Sequence, residues 1–241
     1  MRHAMLRNSY RFVALACAFQ WLGCGGEEAP PETAPEPQTS VGFEAPKRGG
    51  MDVSGLMGTI PERKILAVLE PKLPKFQRCF FDGSSEVEWI GGEIELYFHV
   101  NLEGVVEWVY PRKSTIGHRA TEQCILAEAK RAKFPGPKGG DAAEISWGFA
   151  FDSSAPRAPV EWGADEISAP LSEHSDAASS CGGGRFDVTA YVAPGGQVIG
   201  AGAAADSETS AEQIDCVVQN VTGWTMPNPG SYPAKVSFEL H

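Results

Sequence analysis

The chain has 241 residues, 42% of them hydrophobic, which is enough for packed cores and argues against wholesale disorder. Its formal charge of −11 argues against a nucleic-acid partner, because phosphate binding requires a Lys/Arg surface. The glycines and prolines are clustered, as in turns and linkers between compact pieces.

In chain order, Arg2, Arg7 and Arg11 precede an apolar run, 12–22, that is short for a membrane-spanning helix, so residues 1–23 read as a secretory signal. Trp21-Leu22-Gly23-Cys24 resembles the bacterial lipobox, which implies cleavage before Cys24 and lipidation of it. Cys17 is a weaker rival, with only about five apolar residues ahead of it where 7 to 15 are usual. No Asp follows Cys24 to retain the lipoprotein at the inner membrane, so the expected location is the outer membrane, facing the periplasm. No other stretch is apolar and long enough to span a bilayer, and membrane contact is expected through the N-terminal lipid only. Residues 24–55, rich in Glu, Pro, Thr and Ala, are expected to form a disordered, semi-extended tether.

Beyond it lies an internal repeat. Shifting the chain by 92 residues lays Val100 on Val192, Gly104 on Gly196, Val106 on Val198, Cys124 on Cys216, Pro135 on Pro227 and Pro137 on Pro229. A turn glycine, a cysteine and a Pro-x-Pro keeping one offset read as a duplication. The expected bodies are 56–152 and a diverged copy, 176–241, joined by a linker, 153–175.

In the first copy Thr59 and Glu62 spell a capping box for a helix with Ile65, Leu66 and Leu69 on its apolar face, broken or kinked by Pro71 and Pro74. Ile94, Leu96, Phe98 and Val100 alternate with polar neighbours as a strand with one wet face, and residues 101–104 turn into a partner strand, 105–110. Residues 119–133 follow as a helix, and Ile145, Trp147, Phe149 and Phe151 make a third alternating strand. The second copy repeats this with a poor leading helix around 171–178, a helix at 210–221, and Val236, Phe238 and Leu240 closing the sheet. The fold class is therefore α+β: two tandem small domains, each a three-stranded, mostly antiparallel sheet packed by one or two helices. The last strand of each copy, with Ile145, Trp147, Phe149 and Phe151 or Val236, Phe238 and Leu240, is a candidate edge for adding a partner's strand.

Four cysteines remain after the signal, and the expected disulfides are Cys79 with Cys124 and Cys181 with Cys216. A zinc site is disfavoured because no C-x-x-C or His-bearing knuckle occurs, and a redox dithiol because the partners are far apart in sequence. No nucleophile elbow, phosphate loop, zinc-protease helix or dinucleotide fingerprint is present, and no cofactor or metal is expected. His99 reads as a wet-face residue, His118 as a solvated or capping residue at a helix start, and the pairs Glu86/Glu88 and Glu93/Glu95 as a charged outer face. Trp108 and Trp147 could line a groove, although aromatic strand residues are more often core.

The order Cys79-Phe80, Val100, Gly104, Ser114-Thr115, Cys124, then Phe134-Pro135-Gly136-Pro137 with Gly139-Gly140, resembles the AgmX/PglI C-terminal domain of myxobacterial and related envelope proteins. That domain is itself similar to the carboxy-terminal domain of TonB. The resemblance covers nearly all of the first copy; the second keeps Gly196, Cys216, Trp224 and Pro227 but has Asp206-Ser207 in place of Ser-Thr. It implies a small sheet packed by helices and an interaction role in the cell envelope, in a family whose named members are associated with gliding motility. With no catalytic motif in the chain, the expected function is non-enzymatic binding of another envelope protein. Energy transduction is not carried over, since a lipid anchor offers no spanning segment for a motor to pull. The alternative is a small-ligand binder or hydrolase of unrecognised type using a cleft between the copies.

Overall fold

A computed structural model describes residues 57–241, which fall within one compact unit. The expected signal, the lipid site at Cys24 and the tether lie outside these residues. Helix α1 (Glu62–Leu69) runs through a single 3₁₀ turn into α2 (Leu73–Ser84). Pro71 and Pro74 each fall in the first turn of a new segment, where no N–H is needed, so they redirect the helix without ending it. The expected capping box is absent. Pro61 occupies the N-cap, and Thr59 instead exchanges two main-chain hydrogen bonds with Lys138, at 2.9 and 3.0 Å.

Strands β1 (Gly92–Asn101), β2 (Val106–Ser114) and β3 (Ala142–Phe151) form an antiparallel sheet in the order β2-β1-β3, and α3 (Arg119–Lys130) separates β2 from β3. Alternation along β1 buries Ile94, Leu96, Phe98 and Val100 in a core shared with Phe76, Phe80, Ile125 and Phe134. The second half holds β4 (Val160–Trp162), α4 (Ser168–Glu173), α5 (Ala177–Ser180), β5 (Phe186–Val192), β6 (Val198–Ala205), α6 (Ala211–Thr222) and β7 (Ala234–Leu240). Its four-stranded sheet has the order β4-β7-β5-β6, with β4 parallel to β7 and the other pairs antiparallel.

Two expectations change here. The span 153–175 is not a bare linker, because β4 extends the second sheet and Ile167 is fully buried in the second core. A three-residue strand and a lone isoleucine have no periodicity to read. The second sheet accordingly has four strands rather than three.

The repeat offset governs the geometry. Helices α3 and α6 start and end at positions one offset apart, and β1 and β5 pair with their hairpin partners in corresponding register. Gly104 (φ +75°) and Gly196 (φ +88°) lie against the segments that follow α3 and α6: Phe134 N–H donates to Gly104 O, and Met226 N–H to Gly196 O, both at 2.9 Å. The shared glycine and Pro-x-Pro are thus two sides of one contact that stitches the hairpin to the chain leaving the helix.

Both disulfides are present, Cys79–Cys124 joining α2 to α3 and Cys181–Cys216 joining the end of α5 to α6. The cores they staple differ. The first is aromatic, with Phe76 stacked on Phe149 at 5.1 Å and Phe80 on Phe151 at 4.7 Å. The second is built largely from alanine and valine.

Candidate functional site

A sheet edge offers unpaired main-chain groups, so the fate of each edge determines what the molecule can bind. The two sheets have four edge strands, β2, β3, β4 and β6. Strands β2 and β6 lie against each other in the seam between the halves. Side chains close that seam: Ala203 N–H on β6 donates to Glu122 Oε2 (3.3 Å), Ser114 Oγ donates to Glu122 Oε1 (2.6 Å), and Thr189 Oγ1 donates to Ser114 O (3.4 Å). Strand β4 is only three residues long and guards the first part of β7.

That leaves β3. It pairs with β1 over ten residues without a bulge. Gly58 N–H donates to Ala142 O (2.7 Å), which shows that Ala142 turns its carbonyl away from β1. The period of two gives Glu144, Ser146, Gly148 and Ala150 the same outward N–H and C=O groups. Among the described residues none of the outward N–H and C=O groups of these four residues has a hydrogen-bond partner. Proline, the usual edge guard, is absent from the strand.

The structure also corrects what this edge presents. Ile145, Trp147, Phe149 and Phe151 are buried beneath α2, with Trp147 6.0 Å and Phe149 5.1 Å from the Phe76 ring, so β3 offers backbone rather than an apolar stripe. Val236, Phe238 and Leu240 are likewise core, and β7 is an inner strand over 234–236, where β4 covers it. A three-residue strand leaves no pattern from which that cover could be read.

The wet face of the first sheet carries a cross-strand ladder of rings: His99 stacks on Trp108 at 4.7 Å, and Trp108 on Tyr97 at 6.0 Å and Tyr110 at 5.8 Å. Arg112 sits over Tyr97 at 5.1 Å, and Tyr97 donates to Glu144. Burial, with help from Glu144, raises the Tyr97 phenol to about 12, so it stays a neutral donor. Trp108 therefore belongs to the ladder and Trp147 to the core; they do not share a groove.

His118, expected as a solvated or capping residue, does stand at the N-cap of α3, although without a side-chain cap hydrogen bond. It is buried in the seam beside Gly200, with Nδ1 2.9 Å from Thr121 Oγ1 and Nε2 3.5 Å from Glu86. Burial lowers its pKa, and the Glu86 carboxylate opposes this. The Ser-Thr pair also finds its role: Ser114 holds Glu122, and Thr115 Oγ1 accepts from Glu93 N–H (3.0 Å). Sequence reasoning missed Glu122, which is completely buried and closed over by Gly202, where a Cβ would stand 2.3 Å from its Oε1. The available signal was the Gly200-x-Gly202 spacing, since glycine inside a strand marks a close approach.

An open cleft of about 300 Å³ separates Glu93 and Lys113 from Asp187, Ser237 and Glu239. Its lining holds no histidine or cysteine. No cluster of three metal-ligating side chains occurs among the described residues, and none of the described helices is long and apolar enough to cross a membrane. No protein-family model, curated protein or solved structure matches the chain.

Proposed function

We propose that this is an exported, lipid-anchored envelope protein without catalytic activity, which binds another envelope protein by accepting an extended segment along β3. The observation that carries this reading is the outward row Glu144, Ser146, Gly148 and Ala150, the one long edge left unpaired among the described residues. Main-chain pairing to such a row supplies affinity, and flanking side chains supply selectivity. Export is supported by the basic head and apolar run before Cys24, and by two disulfides, which persist in oxidising compartments. The resemblance of the first copy to the AgmX/PglI domain supports an envelope interaction role and a reading of the halves as tandem TonB C-terminal-like domains. Recognition then falls to the first half. The second half commits its β6 edge and the wet face of its sheet to the seam, where Tyr191 and Lys235 bond to Gly91.

Proline tests this directly. Ser146→Pro and Ala150→Pro remove outward N–H groups without breaking the β1–β3 ladder, and edge strands tolerate such prolines. Each is expected to leave the melting transition within a few degrees of wild type while weakening partner capture at least tenfold. Capture at wild-type strength by both folded variants would contradict strand addition at β3.

A further inference from the structure

A side chain that ionises does not belong in a dry seam unless its charge is met. Glu122 projects from α3 into the contact between the halves and is wholly buried. Facing it are Ser114 of β2, the Ala203 N–H of β6 and the Arg119 guanidinium one turn earlier on α3; no ionisable side chain faces it from β6. Arg119 does not neutralise it well. Its Nε is held by Asp215 of α6 at 2.6 Å and its Nη2 by Ala211 O at 3.3 Å, whereas Nη1 stays 3.9 Å from the carboxylate and has no hydrogen-bond partner among the described residues. Gly202 and Gly200 let β6 close tightly over this spot and over His118.

We propose that the seam is a proton-linked latch: the halves close over Glu122 as a neutral acid and loosen when that carboxyl ionises. Loosening would expose the β2 and β6 edges, so alkalinity would add strand-accepting surface that the closed molecule lacks. Burial raises the Glu122 pKa to about 7 from an ordinary value of 4.5, and Ser114, Arg119 and Ala203 only partly oppose it. An acid whose closed-state pKa is raised stabilises closure fully below its open-state value. That contribution declines as pH rises towards 7 and is lost above it. His118, with its pKa lowered by burial, acts in the opposite sense, disfavouring closure below about 6.5. Lys235, whose ammonium donates to Gly91 O, is also lowered by burial, so it too favours closure in its neutral form.

The test is amide exchange of Ala203 in the mature chain, compared between wild type and Glu122→Gln so that His118 and Lys235 cancel. The ratio of wild-type to variant protection is expected to fall on the order of fiftyfold between pH 5 and 8. In wild type alone, the Glu122 carboxyl carbon should titrate near pH 7 and Ala203 protection should fall over the same pH range, a paired reading that stands even if the variant folds poorly. A flat ratio, or a carboxyl titrating near 4.5, would overturn the latch.

Discussion

Replacing Cys181 and Cys216 together by alanine is expected to cost about 4 kcal/mol and to unfold the second half first. The bond links residues 35 apart, and closing a loop of that size removes roughly 4 kcal/mol of unfolded-state freedom in the chain-entropy model. That is a large share of a small domain's stability, typically about 5 to 15 kcal/mol. The second core has little reserve, because Ala190, Ala201, Ala203, Ala205 and Ala234 bury small surfaces. The Cys79–Cys124 pair closes a similar loop, of separation 45, but the first half retains Phe76, Phe80, Phe149 and Phe151 around it. Amide exchange should therefore show β5 and β7 opening in the Cys181/Cys216 variant while β1 keeps its protection. Equal loss in both halves would show that the seam, rather than the staple, sets the second half's stability.

Gly104→Ala and Gly196→Ala are expected to destabilise by roughly 3 kcal/mol or more each, from left-handed strain and overpacking together. The added Cβ would stand 1.8 Å from Phe134 O in one copy and 2.1 Å from Met226 O in the other. Neither oxygen can retreat, since each residue's own N–H is bonded back to the glycine carbonyl. Gly195 is the control: it has a φ of +99° but open space around the absent Cβ, so Gly195→Ala should cost only about 1 to 2 kcal/mol. Denaturant midpoints of the three variants separate steric exclusion from conformational strain. Similar losses at all three sites would show that the contact with the post-helix segment contributes nothing.

That contact explains how far the sequence could be read. Strict alternation marked β1 and β3, because each has one face on the core, and the shared glycine, cysteine and Pro-x-Pro located the duplicated skeleton. Features set by tertiary docking left weaker traces. Thr59 had the chemistry of a cap but was drawn into pairing with Lys138, and β4 was too short for any pattern. Both late strands looked alike as candidate edges, and only β4, over 234–236, distinguishes the partly covered β7 from the open β3. Glu122 reads in the sequence as an ordinary polar residue in the first turn of α3; its burial arises from a glycine-bearing strand far along the chain.

Strand addition at β3 is most directly tested by amide exchange of Ser146 and Gly148, measured in purified protein and again in intact envelopes. Fast exchange in the purified protein and strong protection in the envelope is the expected result. Exchange equally fast in both would contradict it.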